Sequence, residues 1–222
     1  MNWVKKVAVA LVCLLPLGLQ AAKVDTLQVK SPSMNKSIEV VVVSPDMAAT
    51  EACPVIYLLH GYGGNARTWV GIKPDLPKIA DEKGIFFVCP DGKNTWYWDS
   101  PLNADVRYET FISDELVKYV DSHYKTVADR KGRAITGLSM GGHGAMWNGL
   151  RHSDVFSAAG STSGGVDIRP FPKNWEMSVQ IGEKAKYPEN WEKYTVINLV
   201  PTLRKDQIAL IFDCGDSDFF LE

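Results

Sequence analysis

Arg133-Ala134-Ile135-Thr136-Gly137-Leu138-Ser139-Met140-Gly141-Gly142-His143-Gly144-Ala145 is the stretch that decides the fold. A short β-prone run enters a G-x-S-x-G pentapeptide, Gly137 to Gly141, and small residues open the segment after it as a helix. On so sharp a strand-to-helix turn the serine sits on strained backbone, and bulky neighbours would collide with the main chain. Gly137 and Gly141 lack a Cβ and permit the turn, while Gly142, Gly144 and Ala145 let the helix lie close to the sheet. The helix start also points free N–H groups and the positive end of its dipole at Ser139, which favours a developing oxyanion. Such a pentapeptide arises by chance in roughly one chain in ten to fifteen of this length. Its context therefore has to supply a strand before, a helix after, an oxyanion loop upstream and an acid after a later strand.

Upstream, Pro54-Val55-Ile56-Tyr57-Leu58-Leu59-His60 is the apolar run of a strand buried on both faces of a parallel sheet. It runs into Gly61-Tyr62-Gly63-Gly64-Asn65, and the carboxyl end of a central strand is where an α/β sheet places its chemistry. Backbone there can approach a ligand and turn its N–H groups toward it, as the second half of an oxyanion hole would. Val24 to Lys30 and Ser37 to Ser44 read as an antiparallel lead-in around a turn at Ser31 to Asn35. Leu76 to Lys83 reads as a helix and Gly84 to Pro90 as the next buried strand. Thr95-Trp96-Tyr97-Trp98-Asp99-Ser100-Pro101 is an aromatic loop that either walls a substrate cleft or packs over the sheet edge. Tyr108 to Tyr124 is helical by period, with Phe111, Ile112, Leu116, Val117, Val120 and Tyr124 on one face and Asp114, Glu115, Lys118 and Asp121 on a solvated side.

Downstream of the pentapeptide, Phe156 to Thr162 reads as a strand of small residues. From Asp167 to Leu199 periodicity fades among Pro170, Pro172, Trp175, Tyr187, Pro188 and Trp191, which suits a cap or lid where substrates are selected. Gln207 to Cys214 reads as a further buried strand, emptying into Gly215-Asp216-Ser217-Asp218-Phe219-Phe220. Strands alternating with helices make this an α/β chain with a mostly parallel central sheet and helices on both faces.

The formal net charge of −2 over 222 residues has no basic stripe, so nucleic acid is not an expected partner. No H-E-x-x-H or C-x-x-C spacing occurs, and neither a metal nor a cofactor is expected. Lys5 and Lys6, the apolar run Val7 to Leu19 and the small residues Ala21 and Ala22 have the layout of a secretory signal peptide over residues 1–22. That run is shorter than the about 20 apolar residues a bilayer span needs, so the expectation is a secreted or periplasmic protein without a stable membrane anchor. Cleavage would leave Cys53, Cys89 and Cys214, at the edges of apolar runs and expected as buried thiols, with one disulfide left open.

The chain resembles the esterase D group of α/β-hydrolases, which includes S-formylglutathione hydrolases, tributyrin, feruloyl and acetylxylan esterases, and mycolyltransferases. The residues that carry the resemblance are Leu58 to Gly64, Pro90-Asp91-Gly92, Tyr108 to Phe111, Gly137 to Ala145 and Asp213 to Phe220. It implies an α/β-hydrolase fold over residues 23–222 with Ser139 as nucleophile. It also implies the backbone N–H groups of Tyr62 and Met140 as oxyanion donors and Asp218 as the acid, with Asp216 next in line and Asp213 after it. The group's histidine lies on a loop well beyond the acid, whereas this sequence runs to Glu222. The expectation is therefore a domain lacking its C-terminal strand and histidine loop, with His60 and His143 in scaffold positions and His123 and His152 closing helices. Such a chain would be an exported serine carboxylesterase acting on small-molecule or carbohydrate esters, acetyl or feruloyl among them, and impaired as written. The alternatives are an acyltransferase of the same group and a non-catalytic carbohydrate-binding homologue.

Overall fold

A computed structural model of the chain describes residues 22–221, so the leader read at residues 1–22 falls, Ala22 apart, outside the described residues. Among the described residues seven strands form one sheet in the order β1-β2-β4-β3-β5-β6-β7. They are β1 (Lys23–Ser31), β2 (Lys36–Ser44), β3 (Val55–Leu59), β4 (Phe86–Pro90), β5 (Arg133–Gly137), β6 (Ala158–Thr162) and β7 (Ala209–Asp213). The β1–β2 hairpin is antiparallel and β2 pairs antiparallel with β4, while β4, β3, β5, β6 and β7 run parallel.

The helices follow from the sequence in the same direct way. α1 (Thr68–Ile72) and α2 (Leu76–Lys83) precede β4. α2 stops where Gly84 adopts φ 63°, a left-handed cap that costs glycine nothing. α3 (Tyr108–Thr110) continues through a π-helical turn, Phe111–Glu115, into α4 (Leu116–His123). α5 (Met140–Arg151) follows β5, and α6 (Met177–Ile181) and α7 (Pro188–Lys193) lie between β6 and β7. The short α1 carries no periodic apolar face and was not expected.

At β2 both faces of the sheet are covered, residue by residue. Val40 and Val42 belong to one core and Val41 and Val43 to the other, as the two-residue period of a strand requires. The larger core holds Tyr57, Leu59, Phe86, Val88 and Ile135 against Phe111, Leu116 and Val120 of the π turn and α4 and Met146, Trp147 and Leu150 of α5. The smaller places Leu58, Phe87 and Cys89 against Leu76 and Ala80 of α2. Glu115 is not simply solvated: its carboxylate accepts from Ser31 Oγ at 2.6 Å and Ser33 N at 2.7 Å, and so pins the hairpin turn to the helix.

The structure decides one open reading and corrects others. Trp96, Tyr97 and Trp98 are fully buried, so the aromatic loop packs inside and walls no cleft. The segment 167–199, read as a cap or lid, is anchored in the fold, with Ile168, Met177, Ile181, Trp191, Tyr194 and Val196 all in the larger core. β7 is not buried: Ile211 and Phe212, on opposite faces, are 76% and 75% exposed. Among the described residues it pairs with β6 along one edge only, and an apolar run cannot report whether a layer lies over it. Cys214, just beyond, is exposed rather than buried, whereas Cys53 and Cys89 are buried, and all three are free thiols.

Candidate active site

Ser139 stands between β5 and α5 with φ 55° and ψ −118°. For a residue with a Cβ this is a strained backbone that persists only where its surroundings enforce it. Here Leu138 N donates to Leu59 O at 3.2 Å, Ser139 N to Thr162 O at 2.9 Å, and Gly141 N to Leu138 O at 2.8 Å. The turn is thus tied to the ends of β3 and β6. A Cβ on Gly137 would run into the Gly141 carbonyl, and one on Gly141 into that of Leu59. Both glycines are there for close backbone approach. Gly142 likewise faces Ser161 Oγ and the Cα of Gly164, whereas Gly144 faces the Tyr97 ring rather than the sheet. Ser139 itself is half-exposed.

The loop after β3 lies against this turn, since a Cβ on Gly61 would stand 3.4 Å from Leu138 O and 3.6 Å from Ser139 Cβ. Gly64 N closes a turn on Gly61 O at 3.0 Å, with Gly63 at φ 76°, the conformation a type II turn demands of its third residue. Gly63 N donates to Asn94 Oδ1 at 2.9 Å. Among the described residues the amides of Tyr62 and Met140 donate to no protein acceptor, while those of Gly63, Gly64, Ser139 and Gly141 all do. Two backbone donors, one on each of the segments that meet at Ser139, are thus left without a protein partner.

Asp218 sits on the loop after β7. β7 is in register with β6 from Ala158↔Ala209 to Thr162↔Asp213, and Leu138 bridges Thr162. The loops after β3, β5 and β7 therefore open on the same edge of the sheet. Asp218 is half-buried, and one of its oxygens accepts from Phe220 N at 2.8 Å. Asp216 and Asp213 are exposed, and Asp216 accepts from Ser217 Oγ at 3.1 Å. The loop is held to the 171–176 segment by aromatic contacts, with Trp175 and Phe219 stacked at 5.4 Å and Phe171 edge-on to Phe220 at 5.3 Å. That cluster, unlike Trp96 to Trp98, is partly open to solvent.

None of the four histidines is bonded to Ser139. His60 Nε2 accepts from Gly92 N at 2.9 Å and Nδ1 donates to Gly61 O at 2.8 Å, so this buried ring holds the glycine loop against the strand after it. His143 Nε2 accepts from Trp98 Nε1 at 2.9 Å and Nδ1 donates to Gly165 O at 2.7 Å. Its burial among Trp96, Trp98 and Trp147 lowers its pKa to about 4 and keeps it neutral. His152 contacts buried Glu109 at 2.8 Å, which also accepts from Trp147 and Arg151, and His123 bonds Tyr119 O at 2.8 Å. Burial pushes the Glu109 pKa up, but those donors outweigh it and hold the carboxyl below its ordinary range. Among the described residues, no group of three or more His, Cys, Asp and Glu side chains is placed to hold a metal ion.

The sequence reading missed Asn94, which joins the glycine loop to Glu176 through its side-chain amide. No motif marks it. Lys93, Trp96 and Tyr97 around it all have positive φ, and only the folded backbone reveals that.

Esterase Rv1288 of Mycobacterium tuberculosis is 30% identical over 149 residues, which is 64% of this chain and 32% of that protein; the chain thus spans about a third of this relative's length. A solved ferulic acid esterase is 29% identical with a TM-score of 0.72, over 91% of this chain and 82% of that one. An S-formylglutathione hydrolase from Agrobacterium tumefaciens superimposes with a TM-score of 0.75 at 23% identity, over 91% of this chain and 78% of that one. The architecture is an α/β-hydrolase fold. The family model for esterases matches residues 31–222, and the chain belongs to that family.

Proposed function

We propose that this protein is a carboxylic ester hydrolase that works through an acyl-enzyme on Ser139. The observation that carries the reading is the pair of free amides at Tyr62 and Met140 beside a half-exposed serine on strained backbone. Ser139 Oγ attacks the ester carbonyl carbon while its proton passes to a base, and the carbonyl oxygen takes up negative charge facing the two N–H groups. Collapse expels the alcohol, which receives that proton. Water then attacks the acyl-serine with the same base assisting, releasing the acid and restoring the hydroxyl.

The base is the open part. All four histidines hold other partners, so we propose that the histidine oriented by Asp218 is supplied by polypeptide not contained in these 222 residues. Without it the oxyanion hole and binding alone leave about 10³–10⁴-fold over water. The substrate reading is acetyl or feruloyl esters of carbohydrates. It is supported by the similarity to a ferulic acid esterase and by the partly open aromatic cluster of Phe171, Trp175, Phe219 and Phe220. Export rests on the layout of residues 1–22, and β1 begins directly after them at Lys23.

Hydrolysis of p-nitrophenyl acetate and methyl ferulate, by this chain and by the product of its gene with the downstream reading frame included, tests the proposal. Turnover should rise by orders of magnitude in the longer product and vanish with Ser139→Ala, together with fluorophosphonate labelling. Turnover that survives Ser139→Ala in the longer product would sink the serine mechanism. Equal rates from both lengths would sink the missing base.

A further inference from the structure

Of the nine non-glycine residues with positive φ among the described residues, five lie in two short segments, Lys93, Trp96 and Tyr97 in one and Trp175 and Glu176 in the other. Bulky side chains in that region cost of order 1–3 kcal/mol each and persist only where the surroundings over-determine them. The two segments meet in two hydrogen bonds: Trp96 Nε1 donates to Trp175 O at 3.0 Å, and Asn94 Nδ2 donates to Glu176 Oε2 at 3.1 Å. The other end of the Asn94 amide accepts from Gly63 N at 2.9 Å. Only one orientation of the amide satisfies both contacts, because a flipped side chain would set NH₂ against N–H and oxygen against carboxylate.

Gly63 N–H is the amide next to that of Tyr62, in the same tight turn. With the turn closed by Gly64 N on Gly61 O, the two peptide planes that flank Tyr62 are coupled, so holding one restrains the aim of the other. Glu176 also lies beside the Tyr62 phenol, whose pKa is raised by desolvation and by that carboxylate. We propose that Asn94 is a positioning residue: it aims the oxyanion loop, and through Glu176 it couples that aim to the seating of the 175–176 segment. The coupling rests on the serine-hydrolase reading for its effect on rate, but not for its effect on the loop.

The test is a cycle in the full chain. Asn94→Ala removes both contacts. Asn94→Asp keeps an acceptor for Gly63 N–H but sets two carboxylates against each other, and Asn94→Asp with Glu176→Gln restores a donor and an acceptor with their roles exchanged. Hydrogen–deuterium exchange reads the 61–67 segment directly. Loss of one hydrogen bond of about 1–1.5 kcal/mol predicts about tenfold faster exchange at Gly63 in Asn94→Ala. Intermediate loosening is expected in Asn94→Asp, and return to within about twofold of wild type in the double variant. Ser139-dependent hydrolysis of p-nitrophenyl acetate should follow in kcat, with KM within about twofold throughout.

A double variant no tighter than Asn94→Asp overturns the coupling, and so does unchanged exchange in Asn94→Ala. Restored exchange with a KM effect in place of a kcat effect overturns the positioning role. If wild type and Ser139→Ala hydrolyse the ester equally, the proposed function fails while the exchange data still decide the coupling.

Discussion

His143 carries a prediction that can be worked through in numbers. Its ring is buried among three tryptophans, and both nitrogens are spent on groups with fixed roles. The Gly165 carbonyl can only accept, so Nδ1 bears the hydrogen, and the Trp98 indole can only donate, so Nε2 is bare. Protonation would place a second hydrogen against the indole N–H and a charge inside an apolar site, and burial accordingly lowers the pKa from 6.5 to about 4. Below pH 6.5 the unfolded chain takes up a proton that the folded chain refuses, so stability falls as the pH drops. The loss begins near pH 6.5, is complete near pH 4 and is absent at pH 7. A gap of about 2.5 pH units at about 1.4 kcal/mol each gives about 3 kcal/mol. His143→Gln retains an acceptor and a donor but cannot titrate, and the carboxylates it shares with wild type cancel in the comparison. Urea unfolding of both proteins between pH 7 and pH 4 should show wild type losing about 3 kcal/mol more than the variant, whatever their offset at pH 7. Parallel profiles, or an NMR titration of His143 with its midpoint near 6.5, would refute the reasoning.

Other outcomes follow from the same structure. Gly141→Ala would force a Cβ into the Leu59 carbonyl, backbone against backbone, and should cost at least about 2 kcal/mol, seen as a melting temperature lowered by about 4–8 °C. With Cys13 replaced by Ser, maleimide should label the exposed Cys214 at once, and Cys53 and Cys89 only on unfolding; prompt labelling of all three would contradict the burial. Ile211→Lys, on a side chain that is 76% exposed, should change stability by less than about 0.5 kcal/mol.

What was legible in the sequence was whatever the backbone itself dictates. Gly137, Ser139 and Gly141 announce a turn that no larger residues could make, and the apolar run of β3 ending in glycines announces the loop beside it. Tyr62 and Met140 came from the family resemblance, and among the described residues neither amide donates to a protein acceptor. What was not legible depends on distant partners. The buried state of Trp96 to Trp98 is set by His143, Trp175 and Tyr194, residues from elsewhere in the chain. The exposure of β7 depends on whether a layer covers it, and its composition is that of a covered strand. Asn94 could be found only once the folded chain brought Gly63 and Glu176 to either end of one amide.

The sheet order explains why the segment after β4 had to become so contorted. β4 lies on the far side of β3 from β5, so its following loop starts one strand away from Ser139 and must cross the end of β3 to reach it. Gly92 N–H makes the first step by donating to His60 Nε2, and the Tyr97 hydroxyl then donates to His60 O at 3.0 Å. The Tyr97 ring lands on α5 where Gly144 leaves room for it. The crossing compresses a strand-width detour into a few residues, and positive φ at Lys93, Trp96 and Tyr97 is how the chain turns that tightly. Buried aromatics then hold the detour in place from below, while Asn94, at its apex, faces the glycine loop. The aromatic loop, readable from sequence as a cleft wall or as packing, is a brace for a segment that touches the loop after β3 and the segment before α6 together.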